Sequence, residues 1–315
     1  MKELALVKQT ENIQLGHLYE HIFCAHIDAL FSKNHLFQQL DYSLNGTTYY
    51  GGAILISLEL YTEAAVSLAK QIPTLNIIFN EHSISTASSQ LLAEKELPFN
   101  STGYDPVKEA LLTLHDRPWQ NIDELSLLDT QNIRRKTHPY FLSKEKRLRA
   151  RKLTSNIVLD SVFSNSNPEL LPFFRQIAWL VTANLQHVLA DTYGYFSLSD
   201  KFTNTKQKVC LVNEFNVANT HNVDLKDNLE SCLSLFDNMK KFNAFNRLAT
   251  ELNNISYFNS PRLAPNIDKI YEDTLMIVGA EGWKKIATVE NCERILKHIT
   301  IEVQFGREKA SKPLR

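Results

Sequence analysis

An α+β fold in two similar domains is what the sequence predicts, and three observations carry that expectation. The length of 315 residues exceeds the commonest single domain and suits two of about 150 residues each. Extended segments lead into helical ones: a run of strand character from Leu40 to Tyr61 gives way to a helix opening at Thr62. The same order recurs where a strand at residues 208–217 is followed by an amphipathic helix at Leu225–Lys241, a repeat of element order without a repeat of letters. Hydrophobic residues at 43% and charged residues at 22% can build a sizeable core and argue against long disorder.

Residues 3–9 alternate as a first strand and pass through the polar Gln9-Thr10-Glu11-Asn12 into a helix running to about Phe31, with Leu18, Ile22, Ala25 and Ala29 as its apolar stripe. Asp41–Leu44, the turn-prone Asn45-Gly46, Thr47–Tyr50 and, beyond Gly51-Gly52, Ala53–Leu60 read as a hairpin. Thr62 followed by Glu63 is an N-cap with an acid in the first turn, and Pro73 closes that helix near Gln71. A further helix over residues 83–96 directs Ile84, Ala87 and Leu91 inward, and Glu94 falls next on that stripe while Glu96 points outward. Turn, helix and turn occupy residues 100–119.

The first domain is thus expected at 1–130 and a basic linker at 131–152, rich in Arg134, Arg135, Lys136, Lys144, Arg147 and their neighbours. A second domain at 153–306 begins with a strand at 156–163 and an apolar helix from Pro172 to about Thr192, then turns at Tyr193-Gly194-Tyr195. After the repeated strand and helix, residues 242–275 read as irregular, Glu290–Lys297 as a helix, Thr300–Phe305 as a closing strand, and 307–315 as a disordered tail.

Net charge of −1 and a pI near 6.8 give no argument for nucleic acid or an anionic membrane as principal partner. The basic stretch could contact phosphate, but it lacks an interleaved aromatic platform beyond Tyr140 and Phe141 and reads as a solvated connection. No apolar run approaches a secretory signal or the roughly 18 residues of a membrane span, so a cytoplasmic location is expected. Cys24, Cys210, Cys232 and Cys292 are scattered and read as small buried residues, not as a disulfide frame.

The densest chemistry lies in Gly16-His17-Leu18-Tyr19-Glu20-His21-Ile22-Phe23. On a helix, two histidines at this H-x-x-E-H spacing stand about 40° apart, with the glutamate about 60° to the other side of the first. Two neutral imidazoles so placed can grip Zn2+, and the carboxylate beside them can take a proton from water. The bland alternative is a pair of satisfied core histidines.

With Leu15–Phe23, Leu44-Asn45-Gly46-Thr47-Thr48 and Leu91-Leu92-Ala93-Glu94, the chain resembles the pitrilysin-type zinc peptidases, the inverzincins. The resemblance implies two similar domains, each a mostly antiparallel sheet covered by helices, and a zinc endopeptidase acting on short or unfolded peptides. It implies His17, His21 and Glu94 as metal ligands, Glu20 as general base, and an edge strand near Asn45 and Thr47 that holds an extended substrate; Asn45-Gly46 remains a turn signal besides. A Gly-Tyr step matching Gly194-Tyr195 implies Tyr195 as a group steadying the substrate carbonyl, with core packing as its other reading. Val188 stands where the family's arginine is sought, and Ala87 where its supporting glutamate is sought. Full-size relatives enclose substrate between two halves, so a homodimer, or a heterodimer with a related subunit, is implied. The alternative function is a catalytically weak or inactive peptidase-like subunit that binds peptides or a catalytic partner.

Overall fold

A computed structural model describes residues 2–93, 103–121, 151–159, 168–193, 195–204, 209–217, 224–254, 280–305 and 308–313. Glu94 and Glu96, Gly194, the basic stretch up to residue 150 and the region 255–279 lie outside these residues. The fold is mixed helix and antiparallel sheet, and the chain divides into two compact units, one drawn mainly from Met1–Ala150 and one mainly from the remainder.

In the first unit, strand β1 (Lys2–Gln9) leads into helix α1 (Ile13–Lys33), then β2 (Tyr42–Thr48) and β3 (Ala53–Leu60). Helices α2 (Glu63–Ala69), α3 (Glu81–Ala93) and α4 (Tyr104–His115) follow, and the two-residue β4 (Gln120–Asn121) returns to the sheet, whose order is β2-β3-β1-β4. β1 runs antiparallel to β3 from Lys2↔Leu60 to Gln9↔Ala53. The caps are local chemistry: Asn12 Oδ1 accepts from the Leu15 N–H at 3.0 Å, and Thr62 Oγ1 from that of Ala65 at 3.3 Å, filling donors that a first turn leaves unpaired.

The inward face of α1 differs from the expected stripe. Beyond Leu18 and Ile22 it continues through Phe23, Ile27 and Phe31, joined by Leu15 and Tyr19, whereas Ala29 is exposed. Burying a phenylalanine or isoleucine removes far more apolar area from water than burying an alanine, so the helix turns its large residues to the sheet. Ile54, Ile56, Leu58 and Leu60 of β3, Ala87 and Leu91 of α3, and Leu111 and Leu114 of α4 complete this core.

A second correction concerns Asn45-Gly46, which is no turn. β2 continues straight through both residues in register with β3, Asn45 opposite Ser57 and Gly46 opposite Ile56. The chain reverses at Tyr49–Gly52, where Gly52 has φ +79° and Tyr49 N–H donates to Ala53 O at 2.8 Å. The left-handed conformation belongs to a glycine in either reading, but the second Gly pair supplies it.

In the second unit, β5 (Arg151–Leu159) leads into α5 (Leu171–Tyr193), then β6 (Tyr195–Asn204), β7 (Val209–Val217) and α6 (Leu225–Lys241). Helices α7 (Ala244–Asn253), α8 (Ala280–Ile286) and α9 (Val289–Leu296) precede β8 (Ile299–Phe305) and β9 (Glu308–Pro313), and the sheet order is β6-β7-β5-β8-β9. Residues 308–313, expected to be disordered, pair antiparallel with β8 from Phe305↔Glu308 to Thr300↔Pro313, because main-chain pairing needs no apolar pattern. Helix α7 occupies part of the stretch expected to be irregular: Ala244, Phe245, Leu248, Ala249 and Leu252 are buried on one face at three- and four-residue steps. β6 is an additional strand, lying between the turn read at Tyr193-Gly194-Tyr195 and the strand read at 208–217, and it already includes Tyr195. Among the described residues no helix is long and apolar enough to cross a membrane.

Candidate metal centre

Helix α1 presents His17, Glu20 and His21 together. Their potential ligand atoms all lie within 4.8 Å of one another, and the two imidazole centroids are 5.0 Å apart. The histidines are half-buried at the border of the core face and Glu20 is buried, at 7% exposure. Three donors of nitrogen and carboxylate type, gathered on one shielded face, fit the chemistry of Zn2+.

Each of two donors is held from another element. Thr48 Oγ1, on β2, donates to Glu20 Oε2 at 2.6 Å, and His21 Nδ1 lies 2.9 Å from Gln90 Oε1, on α3. Gly46 completes the arrangement by what it lacks: a Cβ there would stand 2.6 Å from Glu20 Oε1 and 2.8 Å from Cys24 Sγ. The glycine therefore serves the close approach of strand and carboxylate, not a turn: any side chain there forces Glu20 or Cys24 to shift. Burial pushes the Cys24 thiol well above its ordinary range, and the carboxylates of Glu20 and Asp28 push it further, so it stays protonated and serves as packing.

Among the described residues β2 is an edge strand. Tyr49 N–H bonds Ala53 O and Tyr61 N–H bonds Asp41 O, so alternation along the pair turns the main-chain groups of residues 43, 45 and 47 toward β3 and those of Leu44, Gly46 and Thr48 to the outer edge. Side-chain alternation sends Gly46 and Thr48 toward Glu20 and sends Asn45 and Thr47 to the opposite face. There Asn45 Nδ2 and Thr47 Oγ1 are 3.5 Å apart, and Asn45 is exposed.

The motif helix is also anchored from behind. Lys8 is 1% exposed; its Nζ donates to the carbonyls of Leu114, His115 and Arg117 at 3.1, 2.7 and 2.6 Å and stands 4.6 Å from the Trp119 ring centroid and 5.2 Å from that of Tyr19. The ammonium caps the C-terminal end of α4 while meeting aromatic faces, both favourable to a cation. Burial nonetheless brings its pKa down to about 8, with Asp116 opposing the drop. The Tyr19 hydroxyl and His115 Nδ1 are 2.9 Å apart, and burial, then Lys8, lowers the His115 pKa, which favours a neutral ring accepting from the phenol.

Of the residues singled out in the sequence, the structure brings His17, Glu20 and His21 together. Glu94 lies outside the described residues, and of Tyr195 only the backbone is described, at the start of β6. Thr48 and Gln90 were missed as site residues: each acts across a long sequence separation, and only the inward direction of the α3 stripe hinted at Gln90.

No family model and no curated protein sequence matches the chain. Among solved structures, pitrilysin is similar at 12% identity and a TM-score of 0.28 over 99% of this chain, which spans only 44% of the pitrilysin chain. A protease from Helicobacter pylori is similar at 11% identity and a TM-score of 0.29, covering 94% of this chain and 92% of that one. An inactive M16 peptidase domain from Pseudomonas fluorescens is similar at 12% identity and a TM-score of 0.31, covering 99% of this chain and 94% of that one. Likenesses this loose carry no argument about chemistry; the side chains on α1 and around it do.

Proposed function

We propose that the chain is a zinc-dependent endopeptidase acting on short or unfolded peptides, as a homodimer or with a related subunit, in the cytoplasm. The observation that carries this reading is the H-x-x-E-H face itself: His17, Glu20 and His21 within 4.8 Å, with the carboxylate held by Thr48 and the second imidazole by Gln90. His17 and His21 would hold the metal with Glu94 as third ligand. Glu94 comes four residues after Gln90, the spacing at which a helix repeats a face. Zinc, when bound, supplies a Lewis acid that polarises a carbonyl and acidifies water.

The chain's own residues supply the rest. The outer edge of β2 offers N–H and C=O groups at Leu44, Gly46 and Thr48, so an extended peptide can add as a strand with little dependence on its side chains. A peptide backbone laid along Gly46 runs beside Glu20, because no side chain intervenes. Glu20 takes the proton of the attacking water and returns it to the leaving amine. Its Oε2 already accepts from Thr48, which fixes the carboxylate plane before the reaction and spares that reorganisation. Tyr195 would steady the carbonyl oxygen as charge develops there.

A second reading, a peptide-binding subunit without hydrolysis, is favoured by Val188, an aliphatic residue where the resemblance seeks an arginine. One experiment separates the two: zinc content and hydrolysis of unstructured peptides, compared between wild type and Glu20→Gln. Loss of hydrolysis by about 100-fold or more with zinc retained supports the peptidase. Equal cleavage by both proteins would sink the mechanism, and zinc-loaded wild type that binds peptides without cleaving them would establish the second reading.

A further inference from the structure

Gln90 does more than fill space. It sits on the inward side of α3 at 9% exposure, and its Oε1 meets His21 Nδ1 at 2.9 Å. An amide turned over would reverse the roles, which is the point the experiment below reads. With the amide oxygen as partner, which has only lone pairs to offer, the proton of this bond belongs to the imidazole and Nδ1 is the donor. In a neutral ring that leaves the lone pair on Nε2, the nitrogen remote from Gln90. The bond also sets the ring's rotation, since both partners are on helices packed through the core that contains Leu18, Ile22, Ala87 and Leu91.

We propose that Gln90 is the positioning residue of this site: it locks His21 as the Nδ1–H tautomer and so presents Nε2 as the ligand atom. This rests on the zinc reading above for its purpose, but not for its geometry. Outer partners of this kind fix which nitrogen binds and remove the disorder that binding would otherwise have to overcome. A neutral amide adds no charge, so Gln90 orients the ring while leaving the net charge of the ligand set unchanged.

The test uses the full chain in two measurements. Long-range proton–nitrogen correlation of the zinc-free protein, recorded across a pH series, reads the His21 tautomer directly. Competition with a chelating dye reads zinc affinity. Wild type is expected to show Nδ1–H; Gln90→Leu is expected to lose that signature and to bind zinc about 10- to 100-fold more weakly. Gln90→Glu keeps an acceptor at the same place and should restore both, which a purely structural role would not do. If Gln90→Leu is poorly folded, wild type against Gln90→Glu still decides the matter, because a wild-type ring protonated at Nε2 overturns the proposal. Unchanged affinity in a folded Gln90→Leu also overturns it. A wild type showing Nδ1–H but binding no zinc removes the metal reading, and the ligand role of Nε2 with it, while the tautomer lock stands.

Discussion

The two units run through one succession, strand, long helix, hairpin, further helices and returning strand, and order their sheets alike, β2-β3-β1-β4 against β6-β7-β5-β8 with β9 added. On both long helices some polar groups bond back onto their own preceding turn, as His26 Nδ1 does with Ile22 O at 2.8 Å on α1, but α1 also carries groups held from other elements. On α5, Thr182 Oγ1 donates to Ala178 O and Asn184 Nδ2 to Leu180 O, each back onto the preceding turn of its own helix, among the buried Phe173, Phe174, Ile177, Val181 and Leu185. On α1, Glu20 and His21 reach to a strand and a second helix. Topology therefore does not confer the site. What confers it is a set of polar heads at the border of the core whose partners come from elsewhere in the unit.

Four measurements can break or sharpen this contrast. The largest effect is expected from His17→Ala, which should abolish stoichiometric zinc binding, whereas Thr182→Val on α5 should leave zinc content unchanged; zinc lost equally from both would place the metal elsewhere. Next comes Gly46→Ala. Its Cβ must displace the Glu20 carboxylate, and a shift of about 1 Å at a reacting group costs on the order of 100-fold in kcat. Peptide turnover with kcat intact would show that Glu20 tolerates the move.

Lys8→Met should destabilise the first unit by about 3 kcal/mol, since it leaves the carbonyls of Leu114, His115 and Arg117 without their charged donor. In urea unfolding followed by probes in each unit, a transition of the second unit that moves as far as that of the first would contradict this assignment. The smallest effect is a pH dependence. Because the folded chain lowers the His115 pKa below its ordinary 6.5, the unfolded chain binds that proton first as pH falls. This contribution to stability is complete above 6.5 and declines below it, so the urea midpoint should drop on acidification and drop less in His115→Gln.

How much of this was legible beforehand follows the range of the forces. Helix α6 lies at the residues read for it, Leu225–Lys241, because its apolar period and the cap at Asp224 are local. The H-x-x-E-H face was legible for the same reason: helical spacing alone brings the three heads together. Asn45-Gly46 misled because a strong local turn signal was overruled by a distant carboxylate needing room, a constraint that exists only once α1 lies on β2. Thr48 and Gln90 were unreadable as site residues for that reason. β9 was missed because Glu308-Lys309-Ala310-Ser311-Lys312-Pro313 has the composition of a tail and pairs through its main chain.

That last strand also shows how differently the two sheets end. β9 closes its sheet with Lys309, Lys312 and Pro313, residues that discourage further strands from docking. β2 closes the other sheet with Tyr-Ser-Leu-Asn-Gly-Thr-Thr, which carries neither charge nor proline. An edge unpaired among the described residues, proposed above to receive a peptide, offers the same groups to the edge of a second molecule. If peptide adds along β2 as proposed, self-association at high concentration would compete with it for the same main-chain groups, and a peptide occupying the edge would act as a solubilising agent.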